Sequence, residues 1–446
     1  MKLTILGGGG FRVPLVYRAA VAHGGPGRPD VVTLFDTSAE RLDAIARVLD
    51  DGNGPDSPPV ETTTELAEAL DGADFVFAAI RVGGLAGRVA DERVALDLGV
   101  LGQETTGPGG VAFGLRTVPA MLDIAAAMCR HAPDAWMINF TNPAGMITEA
   151  LQAVLGERAI GICDSPMGLV TRAQRALGTV DAGASVGVDY AGLNHLGWLS
   201  GLRVDGVDRF DDLLADTAAL AGIEEGQLFG VEWLRTLGAI PNEYLYYYDF
   251  TRDAIASITA AAETRAEFLL RSQADFYRRA ATQASGLFAE WNQVRLARNA
   301  TYMAEARGDH DRHDDDLDGG GYEGVAVAAM SALAGGPPAT LILNVRNGDT
   351  QPALPPGAVI EVPCRVDATG ATPLPVSPLI GERLGLVQQV KAVEQLTIAA
   401  AVEASEALAV HALAAHPLVD SVNVARALLV GYRARIPDLD RVFVGA

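Results

Sequence analysis

The chain has 446 residues, 49% hydrophobic and 20% charged, which excludes a disordered tail or a collagen-like repeat and leaves room for two or three domains. With 34 Lys and Arg against 56 Asp and Glu, the net charge of −22 repels nucleic acid and anionic membrane surfaces, so neither is an expected partner. Three cysteines are too few for a disulfide framework, and neither a leader peptide nor an apolar run approaching a membrane-helix length is recognised. We therefore expect a cytoplasmic protein.

The N-terminal region predicts a strand, a glycine loop and a helix in direct succession. The apolar residues 3–6 precede four glycines, and a helical pattern follows at 13–22. Further strands are predicted from short apolar runs, at 31–35, 75–80, 135–140 and 159–163. Helical patterns lie between them, at 65–70, 115–129 and 144–155. This alternation predicts an α/β fold with a doubly wound parallel sheet, a Rossmann-like domain over residues 1–168.

Residues 169–446 show a different pattern. Polar and apolar residues alternate at 185–204, and alanine-rich helical stretches occupy 255–304 and 384–415. We therefore expect a second domain of mixed α+β structure. The run 309–316, rich in Asp and His, suggests a metal site, but like charges before three glycines are typical of a solvated loop, so no chemistry is assigned to it.

The glycine loop predicts a dinucleotide site. Backbone N–H groups there could approach a pyrophosphate at a helix N-terminus, and an acid after the second strand could bind ribose hydroxyls and favour NAD over NADP. The predicted cofactor-binding residues are Gly7, Gly8, Gly9, Gly10, Phe11, Arg12, Asp36 and Arg41. The third glycine of the usual pattern falls on Arg12, and Asp36 lies slightly far along the chain, so an ordinary tight turn is the alternative.

Polar residues at the ends of later strands indicate a second kind of site. Cys163 and Asp164 end one strand, and His195 stands isolated in the following region. One thiolate and one imidazole suit a divalent cation, although substrate oxygens or water would have to complete the coordination shell. The alternative is that Cys163 is an ordinary small buried residue.

Two loops could complete the site. The glycine-dense stretch 102–110 is too long for a simple turn, and 241–248 contains four tyrosines. A phenol beside a cation can act as a base, and an aromatic packing cluster is the alternative. The residues themselves thus indicate an NAD-binding enzyme with a candidate metal site.

Eight stretches together carry the motifs of one family, at 80–85, 91–93, 102–110, 138–146, 192–196, 241–248, 359–364 and 416–418. They resemble the NAD- and metal-dependent glycosidases of glycoside hydrolase family 4, especially the 6-phospho-β-glucosidase branch. The resemblance covers nearly the whole chain. It implies a fold like that of lactate and malate dehydrogenases, NAD⁺ as a catalyst rather than a consumed oxidant, and Mn²⁺ as the usual metal.

The resemblance also implies roles for individual residues. Cys163 and His195 look like the metal ligands, and Tyr244 looks like the base that removes the C2 proton, with Tyr246 to Tyr248 as alternatives. Glu104 stands where the family has a residue that increases the basicity of that base. The residues at the family's substrate-binding positions are Arg88, Asn142 and Arg265, and arginine suits a sugar phosphate.

The implied reaction is an oxidation followed by an elimination. Hydride transfer from C3 to NAD⁺ makes a ketone that acidifies C2, the metal stabilises the enediolate, and the base takes the proton. The C1 substituent then leaves, water adds, and NADH reduces C3 again, so no net redox change results.

Two residues depart from the family pattern. The nucleotide loop commonly has Ser or Thr after its glycines, where this chain has Phe11 and Arg12. The β branch usually has Asn after the metal cysteine, whereas Asp164 is typical of the 6-phospho-α branch, in which it can act as a general acid.

We expect a 6-phospho-β-glucosidase that hydrolyses phosphorylated β-glucosides, for example cellobiose 6-phosphate, as a homodimer or homotetramer. The alternatives are a 6-phospho-α-glucosidase, a glycosidase of unphosphorylated sugars, an NAD-dependent 2-hydroxy-acid dehydrogenase and an NAD-sensing module without catalysis.

Overall fold

The computed structural model describes residues 1–180, 185–307 and 321–444, so the acidic run 309–316 lies outside the described residues. The described strands form one sheet in the order β10-β8-β7-β12-β11-β6-β5-β4-β1-β2-β3, with β9 paired to β8 and β13 to β12. The strands are β1 Lys2–Leu6, β2 Val31–Phe35, β3 Val60–Thr63, β4 Phe75–Ala78, β5 Trp136–Asn139, β6 Ala159–Gly161, β7 Val186–Leu193, β8 Leu196–Val204, β9 Val207–Asp208, β10 Ile240–Pro241, β11 Ala339–Arg346, β12 Val359–Asp367 and β13 Gly370–Pro373.

Strands β1 to β6 pair in parallel in the order β3-β2-β1-β4-β5-β6. The helices of this half are α1 Val13–Ala22, α2 Ala39–Gly52, α3 Leu66–Leu70, α4 Gly84–Asp97, α5 Pro108–His131, α6 Ala144–Leu155 and α7 Ser165–Ala176. The central strands are apolar and buried because helices cover both faces of such a sheet. The predicted doubly wound parallel sheet is confirmed. The sequence pattern missed β3 because this edge strand is polar and largely exposed.

The second half continues the same sheet with antiparallel strands. Strands β7 and β8 form a hairpin, and β11 and β12 form an antiparallel pair. Strand β11 pairs with β6 at Asn344 and Gly161, and β12 pairs with β7 at Glu361 and Gly192. The mixed α+β architecture of this half is confirmed. Its strands extend the first sheet across residue 168, which itself lies inside α7.

The long helical stretches predicted in the second half are divided by local stop and start signals. The stretch 255–304 becomes Thr251–Ala260, Arg265–Ala280 and Leu287–Ala300, the second of which begins with a capping box at Thr264. The stretch 384–415 becomes Gly381–Val402 and Glu406–Ala415. The other α-helices described are Phe210–Ala215, Thr217–Gly222, Glu224–Phe229, Val231–Leu237, Tyr246–Asp249, Ala304–Arg307, Tyr322–Leu333, Val422–Arg435 and Pro437–Val444, and 3₁₀ turns lie at Gly156–Arg158 and Glu243–Leu245.

Helix α5 corrects one expectation from the sequence. Among the described residues it is the one helix long and apolar enough to cross a membrane by length and composition, a length that we did not expect any apolar stretch to approach. However, 72% of its most apolar window is buried inside the protein, where it packs against α4 and α6. A helix in the core passes the same test of length and composition as a membrane span.

Candidate active site

A cavity of about 1240 Å³ opens where the parallel strands end, which is where open α/β sheets bind ligands. The predicted site residues that line it are Gly7, Gly10, Phe11, Arg12, Asp36, Arg41, Arg88, Glu104, Asn142, Cys163, Asp164, His195, Tyr244 and Arg265. Gly8 and Gly9 belong to the same glycine loop but do not line the cavity. The structure therefore brings residues from both halves of the chain to one place.

The glycine loop is closed against the end of β2. Gly7 has a φ of +80°, and a Cβ at this position would lie 2.7 Å from the carbonyl oxygen of Ala79, so the backbone conformation requires glycine. The carboxylate of Asp36 accepts hydrogen bonds from the backbone N–H groups of Gly9 and Ser38, each at 3.1 Å. Asp36 thus fixes the loop while it also lines the cavity.

Residues of the second half support this loop from outside. The ring of Phe11 packs edge-on against Phe276, with 5.4 Å between ring centroids, so this side chain is a core residue. Arg41 lies 4.5 Å from the ring centroid of Tyr277 and donates to the carbonyl oxygen of Gly9, and the Tyr277 hydroxyl donates to the same oxygen at 2.7 Å. The helix Arg265–Ala280 therefore helps to hold the predicted cofactor site.

Three predicted residues from distant segments form what we call the Cys163–His195–Tyr244 cluster. Cys163 follows β6, His195 lies in the turn between β7 and β8 with a φ of +63°, and Tyr244 lies in a 3₁₀ turn capped by the side chain of Asn242. The rings of His195 and Tyr244 are stacked, with centroids 3.7 Å apart and planes within 7°. All three side chains are buried and line the cavity.

The protonation states of the cluster follow from its burial. Burial raises the pKa of Cys163 well above its ordinary value, and the charges of Asp164 and Glu361 act in the same direction. Burial lowers the pKa of His195 to about 4, so its imidazole is neutral at neutral pH. Neutral imidazole is the form that binds a metal, and a cation would favour the thiolate.

The donor set fits a metal held by two protein ligands. In the three described segments, no group of three or more His, Cys, Asp and Glu residues could hold a metal ion. A soft thiolate and an imidazole suit a borderline divalent cation, whose remaining positions would be filled by substrate oxygens or water.

Glu104 links the cluster to two arginines. Its carboxylate forms salt bridges with Arg81 at 2.5 Å and with Arg88 at 3.0 Å. Burial opposes ionisation of Glu104, but the two guanidinium groups outweigh it and hold its pKa well below the ordinary value. Burial raises the pKa of Tyr244, and the charge of Glu104 raises it further, so the phenolate would be a stronger base.

Four arginines line the cavity and are called here the arginine wall: Arg88, which is buried, and Arg12, Arg265 and Arg298, which are half-buried. Burial lowers the pKa of Arg298 well below its ordinary value, and the guanidinium groups of Arg12 and Arg265 lower it further. Burial and Arg88 lower the pKa of Arg265 to about 10. Because burial and neighbouring guanidinium groups disfavour the positive charge of Arg265 and Arg298, an anion bound beside them would relieve this repulsion.

Asp164 and Asn142 occupy neighbouring strand ends. Asp164 stands at the start of α7, and a Cβ on Gly321 would lie only 3.0 Å from its Oδ2 atom, so Gly321 packs closely against it. Burial opposes the charge of Arg12, but interaction with Tyr322 and then with Asp164 raises the pKa of this guanidinium overall. Asn142 lines the cavity immediately before α6. Both residues therefore line the cavity in which the sequence analysis expected them.

The sequence interpretation missed several residues of this cavity. Tyr302 donates a hydrogen bond to Glu243 at 3.2 Å, and Ser165 donates to the same carboxylate at 2.6 Å. Burial raises the pKa of Glu243 to about 7. Glu243 lies within the tyrosine-rich stretch 241–248 that the sequence analysis singled out. Arg298 and Tyr302 lie in a stretch that shows only a helical pattern in the sequence, because only folding brings them to the site.

The fold and the cavity define an α/β enzyme with a dinucleotide-type glycine loop. The family model described as family 4 glycosyl hydrolase matches residues 2–179, and the model of the C-terminal domain of this family matches residues 190–419. The chain therefore belongs to the family 4 glycosyl hydrolases, which confirms the resemblance found in the sequence.

Similar proteins differ in the anomer that their names give. A maltose-6′-phosphate glucosidase of Bacillus subtilis is 30% identical over 96% of this chain and 94% of its own length. A probable 6-phospho-β-glucosidase of the same organism is 33% identical, covering 83% and 80% of the two chains. The solved 6-phospho-β-glucosidase of Thermotoga maritima with manganese, NAD⁺ and glucose 6-phosphate is 25% identical, with a TM-score of 0.81 over 98% of this chain and 99% of that one.

A more distant likeness concerns the fold alone. The malate dehydrogenase of Plasmodium falciparum is 12% identical, with a TM-score of 0.50 over 90% of this chain and 99% of that one. The expected dehydrogenase-like architecture is thereby confirmed.

Proposed function

We propose that this enzyme hydrolyses 6-phosphorylated β-glucosides, such as cellobiose 6-phosphate, to glucose 6-phosphate in the cytoplasm, with NAD⁺ and Mn²⁺ as cofactors. The observation that carries the proposal is that the arginine wall shares one cavity with the glycine loop and the Cys163–His195–Tyr244 cluster. A wall of guanidinium groups suits a phosphate dianion. The names of similar proteins support a phosphorylated glucoside.

Each cofactor would have its own place in the cavity. The glycine loop, Asp36 and Arg41 would hold NAD⁺, and Cys163 and His195 would hold the metal. When bound, these groups supply reversible oxidation at C3 of the sugar and electrostatic stabilisation of charge that develops on the sugar oxygens.

The residues of the chain then move protons and orient the sugar. Tyr244 removes the proton at C2, and Glu104 strengthens it as a base through its charge. Arg88, Asn142 and Arg265 orient the phosphorylated sugar, and Arg298 adds to the positive field around its phosphate. Loss of the C1 substituent, addition of water and reversal of the C3 oxidation complete a cycle without net redox change.

A specific observation favours a second candidate, a 6-phospho-α-glucosidase. Asp164 lines the cavity beside the metal cysteine, and an acid at this place is typical of the α branch that the sequence resembles in part. We favour the β anomer because the stretch 80–85 and the general run of the chain resemble the β branch.

The decisive experiment is NMR of products formed in D₂O with NAD⁺ and Mn²⁺ from 4-nitrophenyl β-glucoside 6-phosphate, with the α anomer run in parallel. We expect glucose 6-phosphate that carries deuterium at C2, no net NADH, and faster cleavage of the β compound. Faster cleavage of the α compound would contradict the β assignment. Cleavage of neither compound would contradict the phosphoglucosidase proposal and direct the work to unphosphorylated glycosides and 2-hydroxy acids.

The partner that we propose is a small phosphorylated glucoside, and neither nucleic acid nor a membrane is required for the reaction.

The expected assembly is a homodimer or homotetramer. Light scattering at several protein concentrations would measure the assembly, and a monomer at all concentrations would contradict this expectation.

A further inference from the structure

The imidazole of His195 is held on the side that faces away from the main cavity. Its Nδ1 atom lies 3.1 Å from Oγ1 of Thr105. Thr105 lines a separate cavity of about 30 Å³ together with His195, whereas the main cavity is lined by His195 but not by Thr105. Nδ1 therefore contacts Thr105 on the side of the small cavity, and Nε2 is the ring nitrogen that remains for the main cavity.

The direction of the hydrogen bond between Thr105 and His195 follows from Gln103. The Oε1 atom of Gln103 accepts the backbone N–H groups of Thr105 and Thr106, each at 2.7 Å, which identifies this atom as the amide oxygen. The hydroxyl of Thr105 lies 3.3 Å from the same oxygen and can only donate to it. Its lone pairs then remain to accept a hydrogen bond from the N–H group at Nδ1 of His195.

The turn that carries His195 is also fixed from its other side. The side chain of Asn194 donates to Glu361 at 3.2 Å, and the same carboxylate accepts from Tyr190 at 2.9 Å and from Asn344 at 3.0 Å. Stacking on Tyr244 fixes the plane of the imidazole. Since backbone and ring plane are both fixed, the remaining variable is which ring nitrogen carries the proton.

We propose that Thr105, oriented by Gln103, is a positioning residue that keeps the proton of His195 on Nδ1 and its lone pair on Nε2, toward the main cavity. The proposal rests on the proposed function in one respect, namely that this lone pair binds the metal. Partners of this kind orient a histidine ligand and raise its basicity, and their loss typically weakens metal binding about 10- to 100-fold.

The test compares Thr105→Val, which removes the hydroxyl at nearly constant volume, with Thr105→Ser, which keeps it. Mn²⁺ affinity is measured on the full chain by EPR of the free ion, with NAD⁺ and glucose 6-phosphate present. We expect T105V to bind Mn²⁺ about 10- to 100-fold more weakly than the wild type and T105S to bind nearly as well. Thr117→Val is a matched control, because Thr117 is buried and its hydroxyl has no hydrogen-bond partner within the described residues.

A second measurement is independent of the metal. Two-bond ¹H–¹⁵N spectra of histidine-labelled protein report which ring nitrogen is protonated, and His195→Asn identifies the signal of His195. We expect a single Nδ1-protonated form in the wild type and T105S, and a mixture of tautomers in T105V. Equal Mn²⁺ affinity of T105V and wild type, or an Nε2-protonated wild type, would overturn the proposal. A wild type with the expected tautomer that fails to bind Mn²⁺ would support Thr105 as positioning residue and contradict the proposed metal dependence alone.

Discussion

The glycine loop and the Cys163–His195–Tyr244 cluster line the same cavity, but the chain builds them in different ways. The loop consists of consecutive residues, and its shape is fixed by backbone geometry and by one carboxylate after the next strand. The cluster takes one side chain from each of three distant segments. The loop should therefore be sensitive to an added Cβ atom, whereas the cluster should be sensitive to the loss of a single functional atom.

The largest effect is expected from Cys163→Ser, which replaces the sulfur ligand of the cluster and leaves the glycine loop intact. Loss of metal-assisted stabilisation worth several kcal/mol predicts a fall in kcat of roughly 1000-fold, while the Kd for NAD⁺ stays unchanged. Steady-state kinetics and fluorescence titration with NAD⁺ measure the two quantities. Cys364→Ser is the matched control, because Cys364 is buried in the core and does not line the cavity. Equal activities of the two variants would remove Cys163 from the cluster's chemistry.

A second change asks which tyrosine is the base. Among Tyr244 and the alternatives Tyr246 to Tyr248, only Tyr244 and Tyr247 line the cavity. Because general base catalysis contributes about 100- to 10,000-fold, Tyr244→Phe should lower the rate of deuterium incorporation at C2 by at least about 100-fold. Tyr247→Phe should keep this exchange, since the hydroxyl of Tyr247 is engaged by Glu305 at 2.5 Å. The reverse result would transfer the role to Tyr247.

A substitution in the arginine wall should have an intermediate effect on kcat/KM. Arg298→Met keeps much of the side-chain volume but removes a charge that the proposed 6-phosphate would neutralise. We expect kcat/KM for 4-nitrophenyl β-glucoside 6-phosphate to fall about 10- to 100-fold, since a hydrogen bond to a charged group is worth about 1.5–3 kcal/mol. Arg278→Met, a change to an exposed arginine outside the cavity, should have no such effect. An unchanged kcat/KM in R298M would separate Arg298 from phosphate recognition.

A smaller effect is expected at the glycine loop. Gly7→Ala places a Cβ 2.7 Å from a backbone oxygen and strains a φ of +80°, so we expect the Kd for NAD⁺ to rise about 10-fold for a distortion of 1–2 kcal/mol. Mn²⁺ affinity should stay unchanged. Gly72→Ala is the control, because Gly72 has a φ of +67° with open space around its Cβ position. If G72A weakened NAD⁺ binding as much as G7A, the effect would belong to general strain and not to the loop.

The last prediction concerns stability and not catalysis: behind the cluster, burial lowers the pKa of His416 to about 3. The folded chain therefore binds fewer protons than the unfolded chain. The contribution of His416 to stability is present above its unfolded pKa of about 6.5 and is lost as the pH falls toward 3. Between pH 7 and pH 5, the free energy of unfolding should decrease by about 2 kcal/mol more in the wild type than in His416→Asn. Urea unfolding without added metal measures this, and equal decreases would show that His416 does not titrate on unfolding.

The sequence predicted the parallel half of the fold because its signals are local. Apolar strands, glycines and helical periods lie within short windows, so β1, β2, β4, β5 and β6 could be placed. The edge strand β3 was not predicted, because it is polar and faces solvent on one side, so it lacks an apolar run. The continuation of the sheet from β6 to β11 could not be predicted, because it depends on pairing residues 161 and 344, far apart in the chain.

The residues of the site likewise fall into those that the sequence predicted and those that it missed. Cys163 and His195 were found as polar residues at a strand end and in the region after it, and the stretch 241–248 by its four tyrosines. The resemblance to a known family then selected Tyr244 and carried the roles of all three residues. Thr105 and Arg298 were missed for different reasons. The hydroxyl of Thr105 acts through a residue 90 positions away. Arg298 looks in the sequence like any charged residue of a surface helix, and only the fold places it in the wall of the cavity.

The pairing of β11 with β6 also bears on how such chains can recombine. A cut between the two halves would leave β6 with an unpaired edge, and an open edge of this kind invites aggregation. Exchanging the C-terminal half with that of another family member would require the incoming strand to match both the register and the side chains that flank Cys163. The two halves are therefore expected to be inherited as one piece, and new substrate preferences to arise by substitutions around the cavity and not by shuffling of modules.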